Sequence, residues 1–463
     1  MADTIIQQAI ATGSSPNKLT VSMWLKGMAD PAQTTQRSFF GFRDNADTDR
    51  FFNFYMSSNQ SLYTYWKDSS TVFTLGTTQK FIDPTAWGHF VLTMDTTLGT
   101  AADRVKMFWN GTRLTSFEDG LDSITQSKTM DLLENTDGKT TIGAAKTGST
   151  WHYWDGCISH VHYTDGFAYE ADTFGSFDST SGIWKITTSP SVTYGTNGFF
   201  MLKNDASLSD DSGNGFTFTV ESGSVQPVLD NPSNNFAVLN GLWDTGATMT
   251  NANTTAQSST GNYVAGISSL GMETGKWYAE FKCITDSPTG ESVIGLCKTP
   301  NFNINGQIVG QFGCTGLRNY NGMSYYDTGQ TSGHSDTTSQ HGGWSAGDTI
   351  GVAIDLDNNK VYFSKDGGWQ DGTSTWGGSS PDTSLTLYPN TAHLYDTFFF
   401  ECGDAGAGSA YSKWSANFGN GYFGTTAVTS GNADADGYGS FEYTVPTGYY
   451  ALCTKNLASY GGH

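Results

Sequence analysis

The residues of this chain best suited to chemistry are aromatic side chains held in turn-rich stretches. Trp151, Tyr153 and Trp154 lie between Gly148 and Gly156. Tyr325 and Tyr326 precede the polar run TGQTSGHSDTTSQHGG, and Trp369 and Trp376 sit in a Gly/Ser/Thr-rich insertion. A sugar ring can lay its C–H face on such a ring while Asn, Asp and Gly loops supply hydrogen bonds. Trp151, Tyr153, Tyr325, Tyr326, Trp369 and Trp376 are therefore the expected glycan-binding residues. Taken singly, each could instead be a core or loop-anchor ring. Trp154 and Trp344 are assigned to the core.

Catalytic constellations are not evident. Glycoside hydrolysis needs two carboxylates at a defined separation, and no Glu-x-Asp-x-x-Glu string occurs. Glu170-Ala171-Asp172 reads as loop and Asp355-Leu356-Asp357 as hairpin. No Gly-x-Ser-x-Gly elbow is present. His160 and His162 share a strand face near His152, but a fourth ligand is missing and ordinary histidines explain them better than a metal. Catalytic and metal-ligating residues are expected to be none. No cofactor is expected, and calcium stays open without assigned ligands.

Synthesis in a host cytoplasm is expected. Cys157, Cys283, Cys297, Cys314, Cys402 and Cys453 form no C-x-x-C pair and read as buried free thiols. The spacing of Cys283 and Cys297 leaves a disulfide open. MADTIIQQAIATG lacks the basic start and apolar run of a signal peptide, and no apolar stretch is long enough to span a membrane. The net charge of −21 and the absence of a basic run exclude a nucleic-acid partner.

The elements that would position these groups are strands. Charged residues are 14% of the chain, below the roughly 25% of ordinary domains, while aromatics also reach 14% and Gly numbers 56. Such a composition describes an all-β protein rich in turns. Ile350, Val352 and Ile354 alternate with Gly351, Ala353 and Asp355, then Asp357-Asn358-Asn359 turns the chain into a second strand carrying Val361 and Phe363. This predicts a hairpin with one buried and one open face. Tyr278, Glu280 and Lys282 are likewise expected to point outward, opposite Trp277, Ala279, Phe281 and Cys283. Earlier strands run from Leu19 through LTVSMWLK, RSFFGFRD, RFFNFYMS, SLYTYWKD, WGHFVLTMD and DRVKMFWNGTRL. Asn110-Gly111 between apolar runs is a hairpin turn, so the sequon Asn110-Gly111-Thr112 reads as a turn first, with no glycosylation expected without secretion. Asp3 to Ala11 reads as a short helix or arm, either lying on its own domain or docking on a neighbouring subunit.

Three stretches resemble known families. The hairpin, with its Gly-Asp pair, Asp-Leu-Asp, Lys365-Asp366-Gly367, nearby Trp369 and the opening TGKWYAEF, resembles SPRY (B30.2-like) domains. The resemblance implies a bent sandwich that binds ligands through loops. WDGCISHVHY closes a segment, Leu19 to Tyr169, similar to laminin G and concanavalin A-like domains. That implies a jelly roll of two antiparallel sheets, often used on glycans. ADTFGSFDSTSGIWKI, YGTNGFF, DSGNG, NPSNNFAVLN and the C-terminal NFGNGYFGTTAV and FEYTVPTGYYALCTKNL resemble a recurring string in structural proteins of tailed, marine-type bacteriophages.

The expected architecture is all-β, two consecutive antiparallel β-sandwiches, jelly-roll lectin-like and then SPRY-like. The expected boundaries are an arm over 1–18, the lectin-like domain over 19–229, a linker over 230–241, the SPRY-like domain over 242–428 and a segment packing on a core over 429–463. The resemblances imply a non-enzymatic virion surface protein, a decoration or fibre/tip subunit presenting loops to host glycans. Its expected partners are other virion proteins, further copies of itself and a host surface glycan, without membrane insertion. A capsid-cementing protein without a ligand and a glycan hydrolase are the alternatives.

Overall fold

The computed structural model describes residues 3–10, 12, 14, 16–27, 34–118, 124–133, 137–203, 208–242, 247–258, 264–287, 292–298, 315–319, 323–327, 334–337, 342–371, 375–382, 384–387, 397–404 and 411–461. The chain is nearly all-β and divides into two units, Met1–Pro227 and Val228–His463. Among the described residues one α-helix occurs, Thr454–Tyr460, and no helix is long and apolar enough to cross a membrane.

The first unit pairs a seven-stranded with a six-stranded antiparallel sheet. The larger runs, in spatial order, Thr219–Ser222, Ile5–Ala9, Lys139–Ile142, Arg37–Arg43, Arg50–Met56, Ser61–Asp68 and Ser70–Lys80. The smaller runs Phe199–Met201, Cys157–Asp165, Lys18–Lys26, Gly88–Asp95, Val105–Trp109 and Thr112–Leu114. Leu19, Val21, Met23 and Leu25 from one sheet and Phe40, Phe42, Phe52 and Phe54 from the other share one core. Phe42 meets Tyr163 across it edge-to-face, with ring centroids 4.9 Å apart.

The N-terminal residues form no helix and lie on their own unit, the first of the two alternatives. Ile5–Ala9 is a strand, with Ile6 opposite Ile142 on one side and Val220 on the other. Ile5, Ile6, Ala9 and Ile10 fit a helical face, but the strand pairing satisfies the backbone and a register shift between Ile5 and Ile6 lets both side chains be buried.

The outer face of the six-stranded sheet is also covered. Val91 and Phe108 pack there under Ala171 and Phe174, with Tyr169 and Trp184 at the margin. Asn110 (φ 46°) and Gly111 (φ 76°) make the tight turn between Val105–Trp109 and Thr112–Leu114, as two left-handed positions in a two-residue hairpin require.

The second unit has a nine-stranded sheet centred on Lys276–Thr285, Thr349–Asp355 and Lys360–Lys365, and a six-stranded sheet centred on Phe398–Asp404 and Ser292–Lys298. Trp277, Phe281, Ile350, Val352 and Phe363 meet Ile294, Leu296 and Phe400 in its core. The hairpin pairs Ile350 with Lys365 through Asp355 with Lys360. Its second face is not open. Tyr278, Ala353 and Trp369 are buried in a separate cluster with Phe236, Phe441, Tyr449, Ala451 and Cys453, and Tyr450–Ala451 adds a parallel pairing to Trp277 and Tyr278. Residues 230–241 are part of this body and not an external connector. Phe236, Ala237, Val238 and Leu239 are buried, and Phe236 bridges to Cys453.

Glu280 corrects the expected outward face most sharply, because it is fully buried. Its carboxylate accepts hydrogen bonds from the backbone N–H groups of Glu442 and Tyr443, each at 2.8 Å, from the Tyr278 hydroxyl at 3.1 Å and from the Asn417 amide at 3.5 Å. Alternation places Glu280 opposite the core, but the C-terminal segment covers that face too. Burial raises its carboxyl to about 7, against the opposing pull of those hydrogen bonds.

Candidate functional site

A cleft of about 520 Å³ opens in the first unit, lined by Gln79, Trp87, Trp109, Asn110, Thr112, Leu114, Phe177, Gly182, Ile183 and Trp184. Three chain segments build it. Trp87 precedes the strand Gly88–Asp95, Trp109 to Thr112 form the adjacent hairpin tip, and a two-stranded ribbon, Gly175–Phe177 with Trp184–Ile186, supplies the third wall. Phe177 and Ile183 are 55% and 62% exposed, so the apolar wall reaches solvent. The volume falls within the ordinary range of small-ligand sites.

Two of the three indoles in the cleft, Trp109 and Trp184, are seated on positions without a side chain. A Cβ on Gly88 would lie 1.9 Å from the Trp109 ring, and one on Gly111 2.2 Å from that of Trp184. Trp109 also packs on Phe81 with centroids 4.7 Å apart. Phe177 meets Trp184 edge-to-face at 4.8 Å. Beyond the ribbon, Asp178 accepts from the backbone N–H of Thr180 and Ser181 and pairs with Lys185 at 2.7 Å, which shapes the turn that presents Ile183.

Behind Trp184 lies a buried polar relay. The indole Nε1–H donates to Nδ1 of His89 at 3.0 Å, and Nε2 of His89 is 2.8 Å from the Ser22 hydroxyl. An indole nitrogen can only donate, so Nδ1 must be the acceptor and the ring proton sits on Nε2. His89 stacks on Trp24 at 4.8 Å. Burial first, and the neighbouring His160 second, lower His89 to about 3, so the ring is neutral at any ordinary pH.

The residues singled out from the sequence fall elsewhere. Trp151 and Tyr153 share the strand Thr150–Tyr153 and are half-buried. The Arg43 guanidinium lies 5.0 Å and the Lys146 ammonium 5.8 Å from the Trp151 ring centroid. Trp369 is 5% exposed inside the Phe441 cluster and has no face left for a ligand, which removes it from the set. Trp376 packs against the second core and donates Nε1–H to the Gly343 carbonyl at 3.1 Å. The backbone of Tyr325 and Tyr326 lies in the strand Met323–Asp327, but their side chains fall outside the described residues. Trp154 and Trp344 are both core residues.

His160 and His162 each have a hydroxyl partner. His162 Nδ1 is 2.9 Å from the Tyr194 hydroxyl, and His160 Nδ1 is 2.7 Å from the Ser159 hydroxyl. Among the described residues no group of three or more His, Cys, Asp or Glu side chains is placed to hold a metal ion. Cys157, Cys283, Cys297, Cys402 and Cys453 are thiols, and the Cys283–Cys297 disulfide does not form. Cys157 and Cys297 are only partly buried, against the expectation for all six, and Cys314 lies outside the described residues.

Residues 6–167 match the concanavalin A-like lectin/glucanases superfamily. Trp87, Trp109 and Asn110 fall inside that span, whereas Phe177, Ile183 and Trp184 lie beyond it. No curated protein matches the chain significantly. Among solved structures the chain is similar to the SPRY domain of human HERC1, at 14% identity over 37% of this chain and 91% of that one, with a TM-score of 0.28. It is similar to the native heptameric SAP-like pentraxin of Limulus polyphemus, at 15% identity over 47% and 88% with a TM-score of 0.28. It also resembles the CBM40 of the Ruminococcus gnavus IT-sialidase, a structure bound to α2,3-sialyllactose, at 13% identity over 36% and 94% with a TM-score of 0.24. None of these structural likenesses bears on ligand or activity.

The cleft was not found from the sequence because Trp87, Trp109 and Trp184 each stand in a strand-like context. One signal was available. Trp109 abuts the Asn110-Gly111 turn, and Gly182-Ile183-Trp184 follows a polar turn, so both indoles stand next to sharp reversals.

Proposed function

We propose that this protein is a non-enzymatic carbohydrate-binding protein of a virion surface, a decoration or tip subunit of a tailed phage, and that it holds glycan in the Trp87–Trp109–Trp184 cleft. The observation that carries the reading is the cleft itself, with three indoles and a solvent-reaching Phe177 around an uncharged floor. Sugar rings stack on faces of this kind, and Gln79, Asn110 and Thr112 supply amide and hydroxyl partners at the rim. The lectin-type family match over residues 6–167 supports the same class of ligand. None of the lining residues carries a carboxylate, so the cleft offers no acid–nucleophile pair for glycosidic cleavage. The virion setting rests on the resemblance of the FDSTSGIW, YGTNGFF and NPSNNFAVLN segments to phage structural proteins. Many copies on one particle would turn a weak single-site affinity into firm adhesion.

A glycan array probed with the native chain and with Trp184→Ala, Trp109→Ala and Trp151→Ala tests the site. Binding should fall at least about tenfold in the first two, the loss of one well-stacked ring, and hold in the third. An array that shows no glycan bound by the native chain refutes the carbohydrate reading. Binding that survives both cleft variants refutes its location.

A further inference from the structure

We infer that the cleft selects an uncharged saccharide and discriminates against uronic, sialylated and sulfated ones. The inference rests on the carbohydrate reading above and adds the chemical class of the ligand. None of the ten lining residues carries an ionisable side chain. The nearest charged groups of the ribbon wall, Asp178 and Lys185, are joined as an ion pair at 2.7 Å and cancel each other. The polar relay behind the cleft is neutral as well, since His89 donates from Nε2 and accepts at Nδ1. An anionic sugar entering here would lose water around its carboxylate or sulfate without gaining a cation. It would also approach a chain of net charge −21.

The polar groups present suit hydroxyl and amide recognition. The Asn110 side-chain oxygen is committed to the His89 backbone N–H at 2.7 Å, which turns its NH₂ into the available donor. Gln79 and Thr112 are exposed at the lining and offer both donor and acceptor atoms. Neutral hexoses and N-acetylhexosamines present the matching set of hydroxyl and carbonyl partners beside an apolar ring face. By contrast, Trp151 stands beside Arg43 and Lys146. The two aromatic surfaces of the unit therefore differ in charge.

The test is calorimetric titration of the full chain with three oligosaccharides of equal length: a neutral hexose/N-acetylhexosamine oligomer, a uronate-containing oligomer and a sialylated one. Each is measured at low and at high salt. The neutral ligand should bind with an affinity that changes less than about twofold with salt, as expected without ion pairing. The acidic ligands should bind at least about tenfold more weakly. Thr112→Lys, which exchanges a rim hydroxyl for a cation, should raise uronate affinity relative to that of the neutral ligand and make it salt-sensitive. An acidic oligosaccharide that binds as well as the neutral one, with a steep salt dependence abolished by Trp184→Ala, would overturn the inference and leave the carbohydrate reading standing. Failure of all three ligands would remove both.

Discussion

Trp184 is held by His89: the indole Nε1–H meets Nδ1 of the imidazole at 3.0 Å, while the imidazole lies over Trp24. A half-buried wall of the cleft is thus tied to a residue buried on the sheet beneath it. Fixing a ring before a ligand arrives lowers the ordering cost of binding. His89→Phe keeps the ring and removes both nitrogens, leaving the Trp184 donor and the Ser22 hydroxyl without their partner. It should cost about 1–3 kcal/mol of stability and weaken glycan binding. Denaturant unfolding and tryptophan emission check this, and an unchanged emission maximum with unchanged affinity would refute the tether.

Gly111 has both a left-handed backbone and the Trp184 ring above it. Gly111→Ala therefore meets two obstacles. The φ of 76° costs roughly 1–2 kcal/mol for an L side chain, and the added methyl must push the indole out of place. A lowered melting temperature together with reduced glycan affinity is the expected result. Gly88→Ala should disturb Trp109 in the same way without the backbone strain, since only the 1.9 Å approach opposes it. Equal thermal losses in the two variants would argue against the turn as the source of the difference.

The two units should respond to pH in opposite directions. Burial holds His89 down to about 3, His160 down to about 4 and His162 well below its ordinary value. In the unfolded chain these rings take up protons below about 6.5. The stability of the first unit is therefore full above that value and declines as pH falls toward 4. Glu280 behaves inversely, for its folded carboxyl is raised to about 7 from 4.5. Its contribution is full below 4.5 and is lost as pH rises through about 7. Scanning calorimetry across this range should show one transition rising and the other falling with pH. Glu280→Gln should flatten the falling one alone; parallel movement of both transitions in the native chain contradicts these assignments.

Glu280 also clasps the C-terminal segment through the Glu442 and Tyr443 backbone N–H groups. Glu280→Ala leaves these donors and the Tyr278 hydroxyl buried without an acceptor, at about 2–4 kcal/mol. Limited proteolysis should then cut between Asn432 and Tyr443 well before the rest of the unit. A digestion pattern identical to the native one would show that the clasp is dispensable.

Local patterns in the sequence were sufficient where both partners of a pairing are close in the chain. The Thr349–Asp355 and Lys360–Lys365 hairpin and the Asn110-Gly111 turn follow from period-two alternation and turn chemistry. Alternation says which side a residue faces but not what covers that side. Glu280 and Trp369 were misjudged for this reason, since the cover over them comes from residues 441–453. The strand Ile5–Ala9 was missed because its partners lie at Lys139–Ile142 and Thr219–Ser222, and a short apolar run fits either period. The cleft was missed for a related reason: its three walls come from residues around 87, 110 and 180, and only the fold brings them together.

The pairing of Ile5–Ala9 bears on biogenesis. A chain emerging from the ribosome exposes this segment well before its partners, since neither flanking strand exists until Ile142 and then Ser222 have been made. The second body repeats the delay, because Trp277 and Tyr278 wait for Tyr450 and Ala451. Each body closes only when its last stretch arrives, so a ribosome that stalls or a nonsense codon late in either half leaves a sticky, unfinished sheet edge.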